Sequence, residues 1–134
     1  MSIPVELPAL AEAMARYAFA YLLTSSARGA PHAVAVVPRQ EDGVLILDGI
    51  GRRTRENLVA QPEVGLVWPP TSPAEYSLIV DGRAALDGDR VWIAPTRAVL
   101  HRPARPSEPA EPGTCGSDCL ELPVPAASAG SAPR

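Results

Sequence analysis

The chain has 134 residues, a formal net charge of −3 and twelve basic residues, all of which are arginine. This length predicts one domain with a hydrophobic core of its own. The absence of lysine excludes Schiff-base chemistry and a lysine-bearing phosphate loop, and the acidic balance disfavours a nucleic-acid-binding protein, which needs a broad basic surface.

The sequence also bears on the compartment. Its first residues carry neither the basic start nor the apolar segment of a signal peptide, and no apolar run is long enough to span a bilayer. We therefore expect a cytoplasmic protein without a membrane partner. Cys115 and Cys119 are then expected to be thiols, although their spacing also allows a regulatory disulfide. With only two scattered histidines beside them, the cysteines match a zinc site poorly, and we predict no metal.

The predicted elements begin with an amphipathic helix over residues 5–18, in which apolar side chains recur every three or four positions. Strands are predicted at 21–24, 32–37 and 44–47, with turn sequences between them. The third of these strands is almost continuously apolar, which predicts burial on both of its faces.

A short helix is predicted after the third strand. Gly49 and Gly51 end the strand, and Thr54 is the predicted N-cap. The helix is expected to end at Gln61, before Pro62. It is only about two turns long, so it must be held against a larger body.

Three arginines, at positions 52, 53 and 55, crowd the start of this helix. A helix N-terminus carries roughly half a positive charge, so each cation there costs about 0.3–1 kcal/mol unless something negative balances it. Free amides, a hydroxyl and guanidinium groups together form an anion site, and a phosphate group is the ligand that this pattern predicts. The alternative is a solvated arginine cluster that binds nothing.

The later part of the chain is predicted to be strands at 64–68, 76–85 and 90–100, the last interrupted at Pro95. Gly82 predicts a bulge or a barrel corner within the second of them. Many short strands with two helices indicate a mainly β, α+β fold, a small closed or nearly closed barrel.

The composition changes near residue 102. Seven of the sixteen prolines lie beyond Arg102, and alanine, serine and glycine fill much of the rest. A packed core cannot be built from that mixture. We therefore expect residues 1–101 to form the domain, and residues 102–134 to be a Pro/Ala-rich tail that is largely disordered or draped on the barrel.

Three motifs in this order carry a family resemblance. They are Gly29-x-Pro31-His32 after the first hairpin, Asn57-Leu58-x-x-x-Pro62 in the helix, and Val80-x-Gly82-x-Ala84 in a strand. Together they resemble the pyridoxamine 5'-phosphate oxidase-like, FMN-binding split-barrel superfamily. The resemblance implies a six-stranded antiparallel split β-barrel with short flanking helices. It also implies a homodimer that holds FMN, or alternatively a deazaflavin coenzyme, at its interface.

The resemblance assigns residues to that coenzyme. Its phosphate would be bound by Arg52, Arg53 and Thr54. Its ring system would lie along the second and third strands, against Val36, Val37, Leu47 and Asp48. Many members of the superfamily have a lysine where Thr54 stands, and Arg53 and Arg55 are expected to compensate for the lost charge.

The function that the resemblance implies is an FMN- or deazaflavin-dependent oxidoreductase acting on a small organic molecule. The alternative is a non-catalytic split-barrel module that binds flavin, haem or another planar ligand. No catalytic residue is predicted, because a flavin itself performs hydride transfer. The chain is much shorter than the oxidases that act on pyridoxamine phosphate, and residues 98–103 do not match their C-terminal substrate-binding segment, so that activity is not expected.

Other side chains have two interpretations each. Trp68 or Tyr76 could close a substrate pocket beside the ring, although Trp68 also fits simple packing in the core or at a dimer interface. His32 is either a surface histidine or a residue near the ring. Asp81 and Arg83 flank Gly82, and we expect them to form an exposed cross-strand pair rather than to supply a general acid.

Overall fold

A computed structural model of the chain describes residues 2–104. The predicted tail, with Cys115 and Cys119, therefore lies outside the described residues from position 105 onward, and the division of the chain near residue 101 stays a prediction. Eight strands and two α-helices occur between residues 2 and 104: β1 (Ser2–Pro4), α1 (Leu10–Met14), β2 (Ala20–Ser25), β3 (Pro31–Val36), β4 (Arg39–Glu41), β5 (Val44–Asp48), α2 (Arg52–Ala60), β6 (Glu63–Trp68), β7 (Ser77–Asp87) and β8 (Arg90–His101).

All eight strands belong to one antiparallel sheet in the order β3-β2-β6-β7-β8-β5-β4, with β1 added on β8. The end strands β3 and β4 do not pair with each other, so the sheet stays open between them. This confirms the predicted mainly β, antiparallel split-barrel architecture. The strand number differs from the predicted six because β1 and β4 have only three residues each, too few to show an alternating pattern.

The core is formed by the inward-facing side chains of the sheet, which α1 and α2 cover. In β2, Leu22 is fully buried, whereas its neighbours Tyr21 and Leu23 are each 41% exposed. Residues 45–47 of β5 are all buried, which confirms the prediction for this strand. The apolar residues with no exposed surface are Leu10, Ala20, Leu22, Leu45, Leu66, Leu78, Val80, Val91 and Ile93. No helix within residues 2–104 is long and apolar enough to cross a membrane.

The predicted helix over residues 5–18 is wrong in extent. Only Leu10–Met14 is α-helical, after a single 3-10 turn at Leu7–Ala9. The chain before this turn is extended along β8, where the Val5 amide donates to the Ala98 carbonyl at 2.9 Å. Pro8, which has no N–H, is tolerated only in the first turn of a helix, so the helix cannot extend further back.

The predicted bulge at Gly82 is confirmed, because the register between β7 and β8 shifts between Asp81 and Gly82. A Cβ atom at Gly82 would lie 2.7 Å from Ile93 Cγ2 and 2.9 Å from the Ala94 carbonyl oxygen, so only glycine fits. The predicted interruption at Pro95 is wrong. Strand β8 continues through Pro95 because this residue faces the bulge, where the missing N–H is tolerated.

Asp81 and Arg83 do not pair with each other, in contrast to the prediction. Each lies directly opposite an oppositely charged residue on a neighbouring strand. Arg83 donates to Glu63 at 2.6 Å, and Arg97 donates to Asp81 at 3.1 Å. Directly opposed side chains are closer than side chains two residues apart on one strand, so the cross-strand partners prevail.

Candidate ligand-binding cleft

Helix α2 begins three residues earlier than the sequence predicts. Gly51, with φ −77° and ψ 170°, is the N-cap, and its carbonyl accepts the amide of Arg55 at 3.0 Å. Thr54 is therefore the third helical residue and not the N-cap, and it is only 2% exposed. As in the first turn of any helix, the N–H groups of residues 52–54 have no intrahelical acceptor, and Gly51 has no side chain that could accept from them.

The helix is fixed to the sheet by the two residues that begin its motif. Asn57 Nδ2 donates to Thr24 Oγ1 of β2 at 3.0 Å, and both residues are buried. Leu58 is 4% exposed and packs into the core. Asn57 and Leu58 thus determine where the first turn of the helix lies relative to β2.

The connection from β5 to α2 is held by the hairpin between β7 and β8. Gly49 has φ 71°, a left-handed conformation that favours glycine, and its amide donates to the Asp89 carbonyl at 3.3 Å. Asp48 accepts hydrogen bonds from Arg90 Nε at 2.9 Å and from Arg39 at 3.2 Å. These bonds, first that from Arg90, hold the pKa of Asp48 below its ordinary value. The carboxylate is therefore already engaged by two cations.

A cleft of about 600 Å³ lies in the opening of the sheet, between β3 on one side and the end of β5, the connection and the first turn of α2 on the other. Its wall combines apolar side chains with the helix start. Among the lining residues are Phe19, His32, Val34, Val36, Val37, Leu47, Asp48, Gly51, Arg52, Arg53 and Thr54.

All seven residues that the sequence analysis assigned to a coenzyme line this one cleft. The structure thus brings together the helix-start set, Arg52, Arg53 and Thr54, and the strand set, Val36, Val37, Leu47 and Asp48. Their role in binding a coenzyme remains a proposal.

The cleft has a polar and an apolar end. Strand β3 pairs with β2 so that His32 lies opposite Thr24, beside the helix, and Val36 lies opposite Ala20. Val36 is four positions after His32 along the strand, a span of about 13 Å. His32 therefore marks the polar end of this strand wall, next to α2, and Val36 marks the apolar end.

The three arginines differ in their surroundings. Arg52 is 91% exposed and lies 3.6 Å from Glu56 one turn later. Arg55 does not line the cleft and pairs with Asp89 at 3.1 Å, so the expectation that it compensates for the absent lysine is wrong. Arg53 lines the cleft and, within residues 2–104, forms no ion pair. It is the cation that remains available to an anion.

Two residues of the lining were not predicted from the sequence, and two predicted pocket residues lie outside the cleft. Phe19 and Gly51 were not predicted, although the alternation of His32, Val34 and Val36 could have indicated one common side of β3. Trp68 is 2% exposed and lies in the core, as its packing interpretation expected. Neither Trp68 nor Tyr76 lines the cleft. Among residues 2–104 no three metal-ligating side chains come together.

The open sheet with a cleft at its opening defines a split-barrel protein, and solved structures share this fold. A putative pyridoxamine 5'-phosphate oxidase from Listeria innocua has a TM-score of 0.58 at 15% identity, covering 70% of this chain and 96% of that one. A FAD-binding protein from Mesorhizobium loti has a TM-score of 0.58 at 13% identity, with coverage of 75% and 96%. The haem storage protein HutZ from Vibrio cholerae has a TM-score of 0.51 at 15% identity, with coverage of 69% and 91%.

Closer relatives are found by sequence. The chain is 42% identical over 137 residues to uncharacterized proteins of Mycobacterium bovis and Mycobacterium tuberculosis, an alignment that covers 90% of this chain and 96% of each relative. The chain belongs to the family of these mycobacterial proteins, and its fold is that of the pyridoxamine 5'-phosphate oxidase-like split-barrel superfamily, as its motifs predicted. No family model matches the chain.

Proposed function

We propose that this protein binds FMN in the cleft and acts as a flavin-dependent oxidoreductase on a small organic molecule. The observation that carries the proposal is that one cleft, lined by the cationic first turn of α2, has a polar end at His32 and an apolar end at Val36 about 13 Å away along β3. A flavin mononucleotide has the same division, with a phosphate at one end and a ring system at the other.

The phosphate would be held at the first turn of α2. The amides of residues 52–54 have no acceptor within the helix, and the helix dipole favours a negative group at this point. Arg53, without an ion pair among the described residues, adds a charge-assisted donor. Since the side chain of Thr54 is buried, we assign to this residue its backbone N–H.

The ring system would lie against the apolar end. Val36, Val37, Leu47 and Phe19 line it, and Val37 is 75% exposed, so a planar ligand would remove this side chain from water. The cleft volume of about 600 Å³ is within the usual range for ligand sites. A bound flavin supplies hydride acceptance and donation, while the chain supplies orientation and exclusion of water.

FMN is preferred to the larger FAD and to a deazaflavin coenzyme because the cleft offers one helix start to one terminal phosphate. In FAD and in the deazaflavin coenzyme the phosphate groups lie inside the molecule and not at its end. Arg53 and the free amides suit a terminal dianion best, because each of its three oxygens accepts hydrogen bonds.

We also propose that the protein is a homodimer. The outer face of β2 exposes Tyr21 and Leu23, which lie beside Val67 and Gly65 of β6. A second copy on this apolar sheet face would bury these side chains. The resemblance to dimeric split barrels supports a second copy of this chain as the partner on that face.

A second function is favoured by the chemistry of the lining. The described cleft has no obvious acid–base pair, since its one carboxylate, Asp48, is bound by Arg39 and Arg90. A module that binds flavin, haem or another planar ligand without catalysis fits this arrangement. HutZ, a haem storage protein of the same fold, is consistent with it.

The experiment is a spectroscopic titration of the purified full chain with FMN, FAD, the deazaflavin coenzyme and haemin. The proposal expects saturable binding of FMN, and absorbance that bleaches with a reductant and returns in air. Binding of haemin alone would favour the second function. Absence of binding by all four ligands would contradict both.

A further inference from the structure

His32 is a side chain of the cleft whose ring nitrogens have no hydrogen-bond partner among residues 2–104. It lies on β3 opposite Thr24, the residue that holds Asn57 of α2. It lines the same cleft as Arg53 and Thr54. His32 is therefore at the polar end of the cleft, beside α2.

The two ring nitrogens of His32 differ in their surroundings. Nδ1 is completely buried and has no hydrogen-bond partner among residues 2–104. Nε2 also forms no hydrogen bond there, but it is not among the buried atoms, so it is the nitrogen that a ligand can reach. The imidazole thus presents one polar atom to the cleft.

The burial of Nδ1 bears on the position of the ring proton. A proton on Nδ1 would bury an N–H group without an acceptor, and such orphaned donors are rare in proteins. A proton on Nε2 leaves only a lone pair buried at Nδ1 and directs the N–H into the cleft. The second tautomer avoids the orphaned donor.

We propose that His32 is a third arm of the anion site: it carries its proton on Nε2 and donates a hydrogen bond from there to an oxygen of the ligand's phosphate. This inference rests on the proposed function. Phosphate oxygens only accept hydrogen bonds, so the tautomer that faces an N–H to the cleft is the one suited to them. His32 thereby selects for a phosphorylated ligand, together with the amides of α2 and Arg53.

Three substitutions at His32 test which of its two ring nitrogens donates to the ligand. In His32→Gln the side-chain amide nitrogen can reach the position of Nε2, whereas in His32→Asn it reaches only the position of Nδ1. His32→Phe keeps the ring shape without a donor. A hydrogen bond to a charged group implies that FMN affinity falls about ten- to hundredfold in His32→Asn and His32→Phe and is largely retained in His32→Gln.

Riboflavin, which lacks the phosphate, is the control ligand. Its affinity is expected to be the same in the wild-type protein and in all three variants. Melting temperatures identify any variant whose loss of binding comes from unfolding. A loss of riboflavin affinity equal to the loss of FMN affinity in folded variants would overturn the proposal, because His32 would then act on the ring and not on the phosphate.

A second measurement needs no ligand. The ¹⁵N chemical shifts of the His32 imidazole in the ligand-free protein report which nitrogen carries the proton, and the expected result is Nε2–H. A proton found on Nδ1 would overturn the inference.

The outcomes also separate this inference from the proposed function. If the wild-type protein binds FMN and all three His32 variants bind it equally well, the proposed function stands and the role of His32 is refuted. If the wild-type protein binds no flavin, both are refuted.

Discussion

Asn57 Nδ2 donates a hydrogen bond to Thr24 Oγ1 at 3.0 Å, and this buried contact joins helix α2 to strand β2. The same Thr24 lies opposite His32 on β3, across the ladder from the cleft wall. One hydrogen bond therefore joins α2 to the strand that pairs with β3 at the polar end of the cleft.

Replacement of Asn57 by alanine is expected to lower the free energy of unfolding by about 1–3 kcal/mol, because the Thr24 hydroxyl would lose its buried partner. Chemical denaturation measures the effect. The control is Thr24→Val, alone and combined with Asn57→Ala. If the two side chains act as one contact, the double variant loses less unfolding free energy than the two single variants lose together. If the two losses of unfolding free energy simply add, the contact between Asn57 and Thr24 is contradicted.

Gly51→Asp is expected to stabilise the fold and to block the ligand. Aspartate is a better N-cap than glycine, and no atom lies within 4 Å of a Cβ placed at Gly51. The gain is a few tenths to about 1 kcal/mol of unfolding free energy, measured by thermal denaturation. FMN affinity should fall sharply, because the new carboxylate occupies the anion site.

Gly51→Asn is the matched control for that substitution. Asparagine has the same shape and caps a helix equally well, but it lacks the charge. Its affinity for FMN should lie between those of wild type and Gly51→Asp. Unchanged FMN binding in Gly51→Asp would mean that the phosphate is bound elsewhere.

Much of the fold could be predicted from the sequence, because alternating apolar residues and turn glycines reflect local physics. The bulge at Gly82 is an example, since only glycine fits beside Ile93 and Ala94. The two three-residue strands could not be predicted, because so short a segment pairs only when the neighbouring strand is in place. For the same reason the first helix was overextended: the bond from Val5 to Ala98 joins residues far apart in sequence.

The candidate site was predicted as a set of residues, and its internal arrangement was not. From the sequence, Arg53 and Arg55 were expected to contribute equally to the anion site, because both belong to one short helix. Only the tertiary structure separates them, since Arg55 turns toward Asp89 of a distant hairpin. The predicted start of the helix was also wrong. A residue with a capping side chain, Thr54, was expected as the N-cap, whereas the N-cap is Gly51, which offers only backbone atoms.

The ion pairs at Asp48 make a contribution to stability that depends on pH. The pKa of Asp48 is lowered from its ordinary value of 3.8, first by the hydrogen bond from Arg90. A carboxylate with a lowered pKa stabilises the fold above the unfolded-state pKa, and this contribution is lost as the pH falls through the folded-state pKa. Asp48→Asn should therefore melt below wild type at pH 7.

The difference in melting temperature should close as the pH falls below about 3.8 and through the lowered pKa. Melting curves at intervals from pH 7 to the acid limit of folding measure it. A difference that stays constant over this whole range would contradict the role of the ion pairs. The effect is expected to be small because the carboxylate is exposed.

The proposed dimer predicts that Leu23→Asp converts the protein to a monomer. Leu23 is 41% exposed on the outer face of β2, and a charge there would be buried in the interface without a partner. Sedimentation equilibrium measures the mass. Val59→Asp is the control, because Val59 is also an exposed apolar residue, at 74%, but lies on α2 away from that face. A monomeric wild-type protein would refute the dimer.

The central claim is that the first turn of α2 binds the ligand's phosphate, and the ratio of FMN to riboflavin affinity tests it most directly. Arg53→Ala and Arg55→Ala remove the same charge from the same helix, but only Arg53 lines the cleft. We expect wild type and Arg55→Ala to prefer FMN, and Arg53→Ala to lose about ten- to hundredfold of that preference. Equal affinity of the wild-type protein for FMN and riboflavin would contradict the account.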